Sequence, residues 1–171
     1  GANLAKGLNI ADRESEAVRR FLADASDSMN VLEMLIERED ISCHYHRYGR
    51  FTGAWTQKHY EAMSARVSAL NELTGAGAAM LPRHQQHKAI GSDYYYGGML
   101  IERAGGLHPA LYLSGLVTAA ERAGAVLISN TPVTAVQSDK GGGSLVKTDG
   151  GSTLAKEVII CTNGYTGKLT P

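Results

Sequence analysis

The chain has 171 residues and little of several features that assign a protein to a class. Its two cysteines, Cys43 and Cys161, have no CxxC spacing, so we expect neither a disulfide framework nor a zinc knuckle. Lys+Arg and Asp+Glu both total 17, and no basic stripe is present, which argues against nucleic acid as a partner. All apolar runs are much shorter than the roughly 18 residues of a membrane span. Because no signal-peptide pattern is visible either, we expect a cytoplasmic protein with reduced thiols.

Several motifs of catalytic and binding sites are also missing. The sequence contains no G-x-G-x-x-G, no G-x-x-x-x-G-K-[ST] and no G-x-S-x-G. The glycine-rich "DKGGGS" lies between two predicted strands rather than before a helix, so we interpret it as a flexible hairpin loop. The pairs His44/His46 and His84/His87 can each share a face, but neither has a third ligand of the HExxH kind nearby. The sequence therefore predicts no metal site.

Hydrophobic spacing predicts the helices. Apolar residues recur at three- and four-residue steps in three segments, which is typical of amphipathic helices. Caps support the bounds: Asp12 and Thr56 are polar N-caps, and Pro109 suits a first turn because its missing N–H would be unpaired there. The predicted helices run from about Asp12 to Glu39, from Thr56 to about Leu73 with Gly75 as a left-handed cap, and from Pro109 to Gly124.

β-Branched and aromatic residues between turn signals predict the strands. "RHQQHKAIG" is predicted as a helical turn or loop. "PVTAVQS" and "SLVKT" are expected to form a hairpin. The other predicted strands are "ISCHYHRYGRFTGAW" as one strand or a bent pair, "AAML", "DYYYGGMLIER" with a glycine bulge or close approach, a short buried "AVLIS", and "TLAKEVII".

Three consecutive tyrosines are the main candidates for ligand contact. In a strand, Tyr94 and Tyr96 would face one side and Tyr95 the other. One side would then be a ligand wall carrying phenolic hydroxyls. The alternative is aromatic packing between a sheet and a helix, and the sequence leaves both open.

One long stretch carries a family resemblance. "GSDYYYGGMLIERAGGLHPALYLSGLVTAAERAGAVLISNTPVTAV" resembles the D-amino-acid-oxidase-like family of FAD-dependent oxidoreductases, and within it the branch that contains γ-glutamylputrescine oxidase. "VIICTNGYT" is similar to the same family's strand and flavin-side loop. The resemblance covers residues 91–167 well, whereas residues 1–90 agree mainly in the order of elements.

The resemblance implies a fold and a site. The fold class is α/β with α+β character: part of an FAD/NAD(P)-binding Rossmann-like domain plus an antiparallel-sheet substrate domain. Residues 1–104 would be mainly substrate domain and residues 105–171 part of the FAD-binding domain, with the boundary at Gly105-Gly106. His108 is expected to order the turn before Pro109, and the resemblance assigns no residue as the catalytic base. It implies that Val133 contacts the adenine end of FAD, that Thr162, Asn163 and Gly164 pass near the dinucleotide, and that Tyr94 and Tyr96 line the substrate site.

The implied activity is oxidation of the C–N bond of an amine or amino acid to an imine, with FAD as cofactor and a γ-glutamylputrescine-like small molecule as substrate. The chain lacks the family's GxGxxG unit and its closing C-terminal segment. We therefore expect a central fragment that is inactive alone and self-associates through open strand edges. The alternatives are a dehydrogenase with another electron acceptor and a noncatalytic α+β binding or interaction module.

Overall fold

The computed structural model describes residues 15–165, apart from the side chain of residue 17. The described residues divide into two compact units between Ala123 and Gly124. The predicted functional boundary at Gly105-Gly106 concerns the domains of the whole enzyme and stays a prediction. The described helices are α1 (Glu16–Arg38), α2 (Gln57–Ser64), α3 (Val67–Thr74) and α4 (Pro109–Arg122), with 3₁₀ helices at Arg83–Lys88 and Asn163–Tyr165. The described strands are β1 (Arg50–Gly53), β2 (Ala78–Pro82), β3 (Gly97–Ile101), β4 (Val133–Ser138), β5 (Ser144–Thr148) and β6 (Gly151–Ala155).

The second predicted helix is divided in two. Thr56 caps α2 as predicted, since its hydroxyl oxygen accepts a hydrogen bond from the His59 backbone N–H at 3.1 Å. The chain then tightens, because the Arg66 N–H bonds the carbonyl of Met63 only three residues back. A new helix starts after it and ends at Gly75, whose φ of 56° confirms the left-handed cap.

Helix α1 begins at Glu16 and ends at Arg38, close to its predicted end. Asp12, its predicted cap, lies outside the described residues. Ser15 stands at the N-cap position without a side-chain hydrogen bond to the helix.

The first unit contains an antiparallel sheet of order β1-β3-β2. Its core consists of Ala76, Ala78 and Ile101, and Val67 and Leu70 of α3 pack against it. The central strand β3 begins with two glycines because the neighbouring backbone is too close for a side chain. A Cβ on Gly98 would overlap the carbonyl oxygen of Thr52 and lie 2.7 Å from the Phe51 ring. The predicted close approach is confirmed.

Two predicted strands of this unit are much shorter than expected. Of residues 41–55 only β1 is a strand, preceded by an isolated bridge between His46 and Gly106. Of residues 93–103 only β3 is a strand. Gly97 has φ of 87°, which turns the chain out of the extended conformation just after Tyr96. The prediction that Tyr94 and Tyr96 face one side of a strand is therefore wrong.

Helix α4 begins as the sequence predicts. Pro109 is its first residue, and the His108 ring nitrogen Nδ1 accepts a hydrogen bond from the Leu111 backbone N–H at 3.3 Å. The predicted role of His108 in ordering this turn is confirmed. Gly124 follows the helix with φ of 89°, which suits its predicted place as the terminator.

The second unit contains an antiparallel meander of order β4-β5-β6. The predicted hairpin is confirmed, with Ser138 opposite Ser144 at its closed end. Asp139 organises the glycine loop: its carboxylate accepts the Gly141 N–H at 2.8 Å, and its own N–H donates to the Gly143 carbonyl at 2.9 Å.

Of the other strand predictions in this unit, one is wrong and one is confirmed only in its first half. Residues 125–129 form no described strand and are not buried, since Val126 is 83% and Ile128 73% exposed. The last predicted strand ends at Ala155, and Ile159 beyond it is 84% exposed. The physical reason is pairing: a strand needs a hydrogen-bonded neighbour, and neither apolar run belongs to a described sheet. None of the helices described has the length and apolar character required to cross a bilayer.

Candidate functional site

The predicted substrate wall is part of an aromatic cluster, which we define as Phe51, Trp55, Tyr94 and Tyr95. Ring centroids lie 5.5 Å apart for Trp55 and Tyr94, 5.6 Å for Tyr94 and Tyr95, and 6.2 Å for Phe51 and Tyr95. All three pairs are edge-to-face, the arrangement that the charge distribution of aromatic rings favours. The cluster is therefore an ordered surface rather than a collection of separate side chains.

The cluster has an inner and an outer part. Tyr95 packs on the sheet, where a Cβ on Gly53 would overlap the ring. Trp55 is 61% exposed and Tyr94 67% exposed, so their rings are accessible to a ligand. Tyr95 therefore packs, whereas Tyr94 faces solvent, and ligand contact at Tyr94 stays a prediction.

Tyr96 has different neighbours from Tyr94. The Arg83 guanidinium lies over the Tyr96 ring, 5.1 Å from its centroid, a cation–π geometry. Arg83 also donates a hydrogen bond to the carbonyl of Asp93 at 3.4 Å. The four-residue segment from Asp93 to Tyr96 therefore contacts aromatic rings through Tyr94 and Tyr95, and the Arg83 guanidinium through its first and last residues.

Trp55 and Arg83 were missed by the sequence analysis. Trp55 is the single tryptophan of the chain and directly precedes the N-cap Thr56, where its backbone N–H reaches the His59 ring at 3.3 Å. Its position next to a helix start was the feature of the sequence that could have identified Trp55 as a site residue. Arg83 carried no signal, because its nearness to Tyr96 arises from the pairing of β2 with β3.

The predicted flavin-side residues all lie in the second unit. Val133 is the first residue of β4 and pairs with Thr148. Thr162, Asn163 and Gly164 are exposed. Asn163 and Gly164 lie in a single 3₁₀ turn, which is closed by a 3.0 Å hydrogen bond from the Tyr165 N–H to the Thr162 carbonyl.

The backbone of this loop fits a bulky ligand. Asn163 has φ of 49°, a left-handed conformation that asparagine tolerates, and among residues 15–165 no atom lies within 4 Å of the Gly164 Cβ position. The 37% exposure of Val133 likewise leaves the start of β4 accessible. The residues present therefore accommodate a dinucleotide, although the structure shows no contact that is specific for one.

The strongest electrostatic perturbation lies at Glu33 on α1. Its carboxylate accepts two hydrogen bonds from the Arg47 guanidinium, one of them at 2.5 Å to Nε, and another from the Tyr45 hydroxyl. Arg47 first and Tyr45 second lower the pKa of Glu33 to about 2. Burial and the hydrogen bond to Glu33 raise the pKa of Tyr45. Glu33 thus stays ionised near neutral pH, which suits a structural ion pair and not proton transfer.

The histidines do not converge on a metal. His44 has φ of 53° and lies in no strand, so the expected shared face with His46 is absent. His44 instead contacts His108, with ring centroids 6.5 Å apart. Across residues 15–165 no three His, Cys, Asp or Glu side chains are grouped closely enough to hold a metal ion. Both cysteines are free thiols, Cys43 buried and Cys161 exposed.

The antiparallel sheet packed against helices and the β-meander that follows it in the chain form a mixed α/β fold that is shared with an oxidase of known structure. The crystal structure of glycine oxidase from Geobacillus kaustophilus is similar, with a TM-score of 0.69 and 24% sequence identity over 82% of this chain and 38% of that one. At this identity the likeness establishes the fold alone.

The sequence comparison establishes the family. The model of the FAD dependent oxidoreductase family, DAO, matches residues 3–171, and the chain belongs to that family. The probable oxidoreductase OrdL of Rhizobium meliloti (strain 1021) is 30% identical over 115 residues, which are 67% of this chain and 25% of that protein. OrdL of Haemophilus influenzae is 27% identical over 142 residues, 81% of this chain and 32% of that protein. The chain thus spans about a quarter to a third of the length of these relatives.

Proposed function

We propose that this chain is a segment of an FAD-dependent oxidoreductase that oxidises the C–N bond of an amine or amino acid to an imine. Membership of the DAO family is the observation that carries the proposal. FAD, when bound, supplies the hydride acceptor for this reaction. The protein's own groups bind the amine, orient it and exclude water from it.

The roles proposed for the flavin-side residues follow from their exposure. Val133 would hold the adenine end of FAD through its backbone. The loop Thr162–Gly164 would pass along the dinucleotide, where small side chains permit close approach. All four positions are exposed, which supports the proposal.

The aromatic cluster and its neighbour Arg83 support the proposed substrate class. Exposed Trp55 and Tyr94 rings attract an alkylammonium group through their electron-rich faces. Arg83, held over Tyr96, offers a planar fork of donors to a carboxylate. A substrate that carries both groups, as a γ-glutamylated diamine does, fits this combination better than a simple alkylamine.

The experiment uses the complete reading frame that contains these residues. We expect a yellow protein with flavin absorbance bands that forms peroxide when γ-glutamylputrescine, glycine or proline is oxidised, with γ-glutamylputrescine preferred. Amine oxidation without peroxide would instead indicate a dehydrogenase. A colourless protein that FAD does not stabilise against heat would refute the oxidoreductase and favour the noncatalytic module.

A substitution tests the aromatic contact separately. Tyr94→Ala should raise KM for γ-glutamylputrescine about 5- to 30-fold, the effect of losing a cation–π contact of roughly 1–2 kcal/mol, while flavin content is unchanged. Tyr48→Ala is the matched control, because Tyr48 is 73% exposed and lies outside the cluster. Equal effects of the two substitutions would remove Tyr94 from the substrate site.

A further inference from the structure

A cavity of about 380 Å³ lies within the first unit, between α1 and the sheet. Its size falls in the range of small-molecule sites, roughly 300–1,000 Å³. None of the residues of the aromatic cluster lines it. The residues that line it include Ser26, Met29, Arg50, Thr74, Ile101 and Arg103.

The cavity is positively charged. Within the described part of the chain, its lining contains the guanidinium groups of Arg50 and Arg103 and no carboxylate. Arg103 donates to three neutral acceptors: the Ser26 hydroxyl at 3.1 Å, the Ser26 carbonyl at 3.2 Å and the Asn30 side-chain oxygen at 2.7 Å. These bonds hold the guanidinium in place without neutralising its charge.

The acidic group that Arg103 influences is already paired. Arg103 contributes to lowering the pKa of Glu33, which shows that the two charges interact. Glu33, however, accepts hydrogen bonds from both Nε and a terminal nitrogen of Arg47. A bidentate pair of this kind leaves Glu33 little capacity to balance a second guanidinium.

The Ser26 side chain fixes the orientation of Arg103. The Ser26 hydroxyl donates to the Thr74 carbonyl at 2.6 Å, so its lone pairs are turned toward Arg103. A donor that is held in position before binding loses little conformational entropy when a ligand arrives. The lining beside this charge includes the apolar side chains of Ala25, Met29 and Ile101.

From this combination we propose that the cavity is a binding site for a small carboxylate with a short apolar chain. The carboxylate lies against the guanidinium of Arg103. The chain lies against Met29 and Ile101. None of its lining residues belongs to the proposed substrate or flavin contacts, so the proposal is independent of the proposed function.

The test is a titration of the 171-residue chain with butyrate, observed by ¹H–¹⁵N NMR and calorimetry, with butylamine and inorganic phosphate as comparison probes. We expect saturable butyrate binding with shifts centred on Ser26 and Arg103. Arg103→Gln should weaken this binding about 10- to 100-fold, the effect of losing charged hydrogen bonds. Arg122→Gln is the matched control, because Arg122 pairs with Glu39 and does not line the cavity.

A second variant keeps the test decisive if Arg103→Gln fails to fold. Ala104→Leu fills the cavity without changing a charge, and it should abolish butyrate binding while the chain stays folded. The proposal would be overturned if butyrate binding did not saturate, if Ala104→Leu still bound butyrate, or if the NMR shifts centred on residues other than Ser26 and Arg103. Butylamine binding as tightly as butyrate would overturn the role of the charge, and phosphate binding as tightly would overturn the assignment to a carboxylate.

Discussion

At the scale of single residues, Glu33 gives the chain a pH-dependent stability. Its pKa falls from 4.5 to about 2 in the folded protein because of Arg47 and Tyr45. A lowered carboxyl pKa contributes stability that is complete above the unfolded value and is lost as the pH falls from about 4.5 toward 2. We expect Glu33→Gln to lower the free energy of unfolding by about 1–2 kcal/mol at pH 7 and to flatten its decline across that window, as measured by urea unfolding from pH 7 to 3.

The control for this prediction is Glu16→Gln. Glu16 forms an ion pair with Arg20 at 2.5 Å, but both side chains are 77% exposed, and such pairs contribute little. A pH profile of Glu33→Gln that parallels the unsubstituted chain would show that the pair with Arg47 does not stabilise the fold.

At the scale of elements, the start of β3 determines where the tyrosines lie. Gly98 has no room for a Cβ, because the Thr52 carbonyl and the Phe51 ring occupy that space. Gly98→Ala should cost roughly 1–3 kcal/mol of unfolding free energy, as overpacking does, and should disturb the near-UV circular dichroism of the aromatic cluster. Gly91→Ala is the matched control, since nothing lies within 4 Å of its Cβ position. A fully stable Gly98→Ala variant with an unchanged spectrum would contradict this account of β3.

The outcome for each element shows what local sequence can predict. The caps at Thr56, Gly75 and Pro109 depend on residues within one helical turn, and all three are confirmed. The strand predicted across Tyr94–Tyr96 is wrong because Gly97 takes a left-handed conformation that the alternation of side chains does not reveal. The residues of the candidate site also divide into those that local sequence can predict and those that it cannot. The tyrosines are visible in the sequence, whereas Arg83 reaches Tyr96 only through strand pairing.

At the scale of the whole molecule, two apolar runs dominate the second unit. Val126 to Ile128 and Val158 to Ile160 are hydrophobic segments of the kind found in buried parallel strands, yet each has exposed members and no described partner strand. Together with the edges of the two small sheets, they expose apolar surface and unpaired backbone groups. The free energy of such a surface favours association with any segment that can pair with it.

We therefore expect the 171-residue chain to self-associate in a concentration-dependent way, measured by light scattering and sedimentation. The double substitution Ile128→Lys and Ile159→Lys should shift it toward monomer, because a lysine in each run opposes pairing. The matched control is Leu113→Lys, which places the same charge at a 63% exposed leucine of α4, outside both runs, and should leave the association unchanged. A monomer at all concentrations would show that the two runs do not attract each other. Association that persists in the double variant would move the contact to the sheet edges instead.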